Sequence, residues 1–382
     1  MFIDLTEDQH ALRARLRAYM EGLLSPEQRA TLRYERHGPV HREVVARLGR
    51  DGWLGLGFPT RYGGGGHGPV EQQILVNEAA RADVPLPAVT LQTVAPTLLA
   101  FGTPEQKDFF LPRILAGELH FAIGYTEPEA GTDLAALRTR AVRDGDGYVV
   151  NGHKTFTTGA HDADCLWLAC RTDPDAPRHR GLSVLIVDTR DPGYAWTPII
   201  TCDGAHHVNA VYLSDVRVPA SMLVGTENDG WRLLTTQLNH ERVMLGPAGR
   251  MGALYARVQA WARSNPAVRD EPGVRRSLAR AYAGLRVNEL LNWQVAGAEP
   301  AGTADASATK VFSSERVLRI GQELEELVGR HGDPDDPATA ELMSWLDLQA
   351  KRNLVLTFGG GVNEIQRELI ASAGLGLPRV PR

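Results

Sequence analysis

The stretch LRTRAVRDGDGYVVNGHKTF, residues 137–156, is where the texture of the chain changes. On both sides of Asp144-Gly145-Asp146-Gly147, apolar and polar residues alternate. That is the period of a strand with one buried face. The Asp-Gly pairs supply the left-handed backbone that a tight hairpin requires. Three further runs read as strands: CLWLACRT (165–172), LSVLIVDT (182–189) and VNAVYLSDVRVP (208–219). DPDAPRHRG, residues 173–181, reads as an exposed, turn-rich loop between the first two. Five strand-like runs within about a hundred residues predict a small β-barrel or sandwich.

Outward from this region the period becomes helical. Upstream, Thr6 followed by Glu7-Asp8-Gln9 has the form of a helix start, and Leu12, Leu16, Tyr19 and Leu23 mark one face. PTRYGGGGHGP (59–69) reads as a flexible loop. Helical character resumes in VEQQILVNEAARA and PEQKDFFLPRILAGE. Downstream, helices are expected over 231–262, 275–295, 307–327, 338–356 and 364–373, a set that reads as a bundle. The fold class is therefore α+β. It has an N-terminal helical domain (1–120), a middle β-domain (121–226) and a C-terminal helical bundle (227–382).

Bulk properties exclude several functions. The 382 residues carry a net charge of −5, which provides no global field for nucleic acid or membrane surfaces. No run approaches the ~18 apolar residues of a membrane span. Three cysteines, Cys165, Cys170 and Cys202, are an odd number without metal-ligand spacing. They fit a reducing cytoplasm, and the polar, acidic N-terminus is unlike a signal peptide. No metal site is read from the sequence.

Three segments carry candidate chemistry. In GYTEPEAGTD (124–133), hydroxyls, glycines and exposed backbone can point donors at a ligand rich in acceptors. In NGHKTFTTGAHDAD (151–164), Phe156 and Thr158 are two apart and share a face on a strand, offering a ring and a hydroxyl. In LNHERVMLG (238–246), the series Leu234, Leu238, Glu241 and Leu245 forms one helical stripe with an acid among leucines. A carboxylate on an apolar face is costly unless paired or protonated, and burial raises its pKa toward that of a working base. A structural ion pair of Glu241 with Arg242 is the alternative.

With these segments in view, the chain resembles the acyl-CoA dehydrogenases along nearly its whole length. FGTPEQKDFFLPRILAGE, YTEPEAGTD, NGHKTFTT, DVRVP, LNHER and NEIQRELIASAGLGLPR occur in that family's order and spacing. The resemblance implies FAD between the β-domain and a four-helix bundle. It also implies a thioester whose α-proton is taken by a carboxylate while the β-hydrogen leaves as hydride to the flavin N5, giving a trans-2-enoyl-CoA. Carried onto this chain, it assigns the flavin ring to Thr126 and backbone groups at Tyr125. It assigns the pyrophosphate to Gly131 and Thr132, stacking to Phe156 (where the family usually has Trp), and a hydrogen bond near N5 to Thr158.

Many members place the base where this chain has Gly360, in FGGGVNEIQR. A branch of the family places it directly before an arginine in the first bundle helix, which matches Glu241 with Arg242 as its neighbour. The adenine-side donors usual in homodimers are not recognisable: ARSNPAVRDEPGVRR (262–276) lacks the aromatic, and Glu325 stands roughly where a glutamine belongs. The runs ACRTDPDAPRHRGLSVLIV (169–187) and TTQLNHERV (235–243) resemble the glutamate-bearing subunit of actinobacterial α2β2 acyl-CoA dehydrogenases that act on steroid side-chain CoA thioesters. Such a subunit pairs with a homologous chain and passes electrons to an electron-transfer flavoprotein. A homodimer holding FAD through other residues is the alternative assembly. Alternative activities on the same fold are a flavin oxygenase, a dehydrogenase of carrier-protein thioesters, or a non-catalytic subunit. His206 and His207 read as surface residues of a β-edge, with the lining of a substrate mouth as the alternative; Lys310 resembles a family position in the third bundle helix, with a helix-surface charge as the alternative; and the terminal LGLPR reads as packing at the bundle end.

Overall fold

The computed structural model describes the backbone of residues 4–244, 246–298 and 302–378, and the side chains of all these except 238–244 and Ala267. The expected order of helices, strands and helices is observed. Two compact units emerge. One comprises Leu24–His67 and Pro85–His240; the other comprises Met1–Leu23, Gly68–Val84 and Glu241–Arg382.

The first unit contains helices α2 (Pro26–Leu32) and α3 (Pro39–Arg50). Helices α1 (Glu7–Leu23) and α4 (Pro69–Arg81) belong to the other unit. The first unit also holds α5 (Ala95–Phe101) and α6 (Pro104–Leu115). Thr103 caps α6 by accepting from the Gln106 N–H, and Gln106 answers through its side chain; this reciprocal box fixes where the helix begins.

Eight strands follow: β1 (Phe121–Gly124), β2 (Arg140–Asp144), β3 (Gly147–Thr158), β4 (Cys165–Arg171), β5 (Leu182–Asp188), β6 (Tyr194–Ile200), β7 (His206–Pro219) and β8 (Leu223–Val224). They form one sheet in the order β6-β7-β3-β2-β4-β5-β8, and β1 pairs in parallel with β4. The hairpin read around residues 144–147 is present. Asp144 pairs with Gly147, and Gly145 takes φ +61°, a conformation that favours glycine in a two-residue turn. The inner face packs Tyr148, Val150, Leu166, Leu168, Leu185, Val187, Val211 and Val216 into one core.

Three strands escaped the sequence reading. β1 and β8 are too short to show alternation, and in β6 almost every side chain is at least partly exposed, so no buried face repeats. The segment 59–69 is not a loose loop. Tyr62 is buried, and the N–H groups of Gly65, Gly66 and His67 donate to the carbonyls of Gly55, Phe58 and Leu56.

In the other unit, α8 (Ala248–Ser264), α10 (Pro272–Ala296), α11 (Thr303–His331) and α12 (Pro337–Asn353) share a core of Leu254, Val258, Val317, Leu324, Val328 and Trp345. A short α9 (Pro266–Arg269) precedes α10, and α13 (Asn363–Leu369) follows α12. The single helix expected over 231–262 is two, α7 (Gly230–Met244) and α8, because Pro247 serves as the N-cap of the second. Among the described residues, no helix is long and apolar enough to cross a membrane.

Candidate active site

The site is built on β3 and the loop that follows β1. Alternation along β3 turns Lys154 inward, where it is fully buried. Its Nζ donates to the Tyr125 carbonyl at 3.1 Å and to Glu127 Oε1 at 2.8 Å. The Glu127 carboxylate also accepts from the N–H groups of Arg138 (2.6 Å) and Thr139 (2.8 Å) and from the Thr139 hydroxyl (2.6 Å). Burial works against the Glu127 charge, but Lys154, Thr139 and the Arg138 N–H hold its carboxyl below the usual glutamate range. Burial likewise pushes the Lys154 ammonium down, against the pull of Glu127. These two residues belong to the motifs TEPE and GHKTF, yet their pairing was not read from the sequence. The signal was a lone lysine on the inward phase of a strand.

Next along β3 the ladder slips. Lys154 pairs with Val211 but Thr157 pairs with Asn209, so β3 carries one extra residue. Within this bulge Phe156 adopts φ +55°, and its ring is 62 % exposed. A bulky residue in the left-handed region is an outlier, and a large ring turned to solvent repays none of that strain. Thr158, beyond the bulge, is exposed as well. The two therefore do lie on the exposed side of β3, as the spacing suggested.

Thr155 N–H donates to the Thr126 carbonyl at 2.9 Å, which holds the 125–133 loop beside the bulge. Tyr125 is anchored below it. Its phenol bonds Gln237 Oε1 on α7 and accepts from the Trp167 indole at 3.0 Å. Gly131 and Thr132 are exposed at the loop's end, and a Cβ at Gly131 would meet only the Thr126 methyl, at 3.9 Å. The result is a bare aromatic face, nearby hydroxyls and a stretch of exposed main chain. That donor set fits a planar heteroaromatic group joined to phosphates.

Glu241 and Arg242 belong to α7 by backbone, and their side chains lie outside the described residues. Gly360 takes φ +63°, a backbone that a glutamate would adopt only with strain. Lys310 is not a surface charge. It is fully buried in α11, and its Nζ donates to the carbonyls of Thr357 (3.2 Å) and Gly361 (2.8 Å) and to Asn363 Oδ1 (2.7 Å). Glu325 is half-buried on α11, its carboxyl raised by burial and by Asp347. Leu375 and Leu377 are largely exposed, so the described part of the C-terminal segment does not pack a bundle end. His206 and His207 are half-buried rather than free on the surface: their Nε2 atoms lie 2.7 Å from Asn209 Oδ1 and 3.0 Å from Asp203 Oδ2.

Comparison with known proteins agrees with this architecture. Family models described as the N-terminal, middle and C-terminal domains of acyl-CoA dehydrogenase match residues 6–118, 122–216 and 228–375. The chain is 65% identical over 387 residues to the acyl-CoA dehydrogenase FadE29 of Mycobacterium tuberculosis, covering 100% of both chains. It is 47% identical over 406 residues to FadE26 of the same organism, again covering 100% of both. Among solved structures, the Tcur3481-Tcur3483 steroid ACAD aligns with a TM-score of 0.92 and 48% identity, and the ChsE4-ChsE5 complex from M. tuberculosis with 0.91 and 46%; both cover 100% of each chain.

Proposed function

The chain belongs to the acyl-CoA dehydrogenase family and is an acyl-CoA dehydrogenase, and from this premise we propose that it desaturates CoA thioesters bearing a steroid side chain. The observation that carries this reading is full-length likeness to complexes described as steroid acyl-CoA dehydrogenases, at nearly half identity.

FAD is the cofactor on this reading, and when bound it supplies the acceptor for the β-hydrogen, taken as hydride. The residues that would hold it are the exposed Phe156 ring, the Thr158 and Thr126 hydroxyls, the Tyr125 backbone and the loop at Gly131 and Thr132. The strained, solvent-facing Phe156 is the feature that supports this assignment, because its ring gains little packing among the described residues to offset its conformation. Phe156 offers a flat contact surface without the indole donor that Trp would bring. Thr155 and Lys154 position the loop by holding the carbonyls of Thr126 and Tyr125.

Glu241 is the general base in this proposal and receives the α-proton, with Arg242 as its neighbour. Its support is the helical stripe of the sequence, together with a left-handed glycine at the alternative position. Glu325 and residues 262–276 do not reproduce the usual donors for the adenine side. A homologous partner chain would supply them, which suits the two-chain composition of both solved relatives. An electron-transfer flavoprotein would reoxidise the flavin.

The test is to co-express this chain with a homologous dehydrogenase chain, purify the assembly, and follow bleaching of the flavin absorbance by CoA thioesters. Bleaching by steroid side-chain thioesters in preference to short straight-chain ones is expected. Preference for straight chains would refute the substrate class. Full flavin content and turnover in this chain alone would refute the shared site.

A further inference from the structure

Five imidazoles line up in the first unit and reach the β3 bulge through Asn209, whose Oδ1 lies 2.7 Å from His206 Nε2 and whose Nδ2 donates to the Thr157 carbonyl at 3.1 Å. His41 contacts His120 edge-on at 5.8 Å and His37 at 5.7 Å between ring centroids. His37 meets His161 at 5.5 Å, and His161 stacks on His206 at 4.0 Å. A neutral imidazole keeps one ring-nitrogen lone pair that can act as a metal ligand.

One subset has the chemistry of a cation site. A ring nitrogen of His37, a ring nitrogen of His41 and a carboxylate oxygen of Asp162 all lie within 4.8 Å of one another. His41 is buried to 3 % exposure. Apart from a loose approach to the Pro85 backbone, neither of its ring nitrogens has a hydrogen-bond partner among the described residues. Leaving such a group unpaired costs roughly 1–3 kcal/mol, so a ligand that engages it is favoured. Asp162 is oriented from behind: Gly38 N–H donates to Oδ2 at 2.8 Å, and Arg42 Nε to Oδ1 at 2.8 Å. Each carboxylate oxygen accepts one bond and keeps a second lone pair. Arg42 also bonds the Asp162 carbonyl and reaches Asp164 Oδ2 at 3.2 Å, so its charge is shared between two acids.

We propose that His37, His41 and Asp162 bind one divalent transition-metal ion of the zinc class. Two imidazole nitrogens and one carboxylate oxygen, with a fourth position left to solvent, select this class over calcium or magnesium, which take oxygen donors. Ligand atoms in a tetrahedral zinc site stand about 3.3 Å apart, so each side chain closes by about an ångström. The bound ion ties α3 to the turn between β3 and β4, fixing a helix against the end of the strand that carries Phe156. Arg42 and the Gly38 N–H act as the outer partners that orient the ligating carboxylate. The sequence carried a hint in His37-x-x-x-His41, but Asp162 joins only through the fold.

The experiment uses the purified full chain, stripped with chelator and titrated with Zn2+ in competition with a chromophoric chelator. Co2+ is then substituted, and its visible spectrum reports coordination geometry. One equivalent of saturable binding, a tetrahedral-type cobalt spectrum and a raised Tm are expected. His37→Gln and Asp162→Asn should each weaken binding about tenfold or more, while His67→Gln, an exposed control, should not. Absence of saturable binding, or affinity unchanged in both site variants, would overturn the proposal. His37 is only half-buried, so His37→Gln remains informative even where Asp162→Asn fails to fold.

Discussion

Lys154 Nζ and Glu127 Oε1 stand 2.8 Å apart with almost no access to water: the side-chain exposures are 0% and 8%. The pair joins the centre of β3 to the start of the 127–139 loop. Breaking a buried pair from one side strands the other charge, at a cost of about 3–5 kcal/mol. Lys154→Met is therefore expected to lower the unfolding free energy by about that amount, measured by urea denaturation. Adding Glu127→Gln should recover part of the loss, since the stranded charge is then removed. Equal stability of Lys154→Met and the parent would show that the pair is energetically idle.

The same carboxylate gives a pH dependence. Its folded pKa lies below the ordinary glutamate value of 4.5. The unfolded chain therefore binds the proton more readily, and the stabilisation is present in full above that value. It is lost as pH falls through 4.5 toward the folded pKa. Relative to the parent, Glu127→Gln should be less stable at neutral pH, and the gap should narrow as pH drops below 4.5. A gap that stays constant with pH would contradict this sign.

Lys310 offers a prediction in the helical unit. Its three hydrogen bonds close the turn that contains Gly360 and Gly361. Lys310→Met removes three charge-assisted bonds and leaves two carbonyls and an amide oxygen to find other donors. A loss of about 3 kcal/mol is expected. Hydrogen exchange at the amides between Thr357 and Asn363 should accelerate more than exchange in the α11 core. Uniform acceleration would mean that Lys310 supports the whole bundle rather than the turn.

Periodicity carried much of the fold. The hairpin at Gly145, the strands β4, β5 and β7, and most helices follow from alternation, 3.6-residue stripes and turn residues. Strand β6 could not be found that way, because it has no regularly buried face. The site was legible only as motifs. Phe156 and Thr158 could be assigned to one face, but the bulge that twists Phe156 into the left-handed region depends on how β3 and β7 slip past each other. Lys310 read as a helix-surface charge, and the burial of Lys154 went unread, because their partners, the 357–363 turn and Glu127, are distant in sequence. Long-range pairing of this kind leaves no periodic trace.

Phe156 should show a trade between stability and binding. Holding a non-glycine residue at φ +55° costs roughly 1–2 kcal/mol, and glycine relieves it at an entropic cost of roughly 0.5–1 kcal/mol. The ring is mostly exposed, so its removal forfeits little packing. Phe156→Gly is therefore expected to leave the stability of the flavin-free chain within about 1 kcal/mol of the parent. Loss of the stacking surface should weaken flavin retention about tenfold, in keeping with an aromatic contact worth about 1.5 kcal/mol. A large fall in flavin-free stability would instead identify the ring as part of the fold.

Glu241→Gln tests the proposed chemistry most directly. The amide matches the carboxylate in size, so flavin content and assembly should be unchanged while the proton acceptor is lost. A general base typically contributes about 10²–10⁴-fold to rate, and without one the α-proton has no acceptor on this chain. Anaerobic mixing with a substrate thioester should then give binding without bleaching, at least ~10²-fold slower than the parent. Arg242→Gln, which removes the charge, should shift the pH profile of bleaching upward, because a neighbouring cation opposes any rise in the Glu241 pKa, whereas Arg242→Lys, which keeps the charge, should leave the profile in place. Parent-like bleaching by Glu241→Gln would remove this residue from the reaction and direct the search for a base to another chain in the assembly.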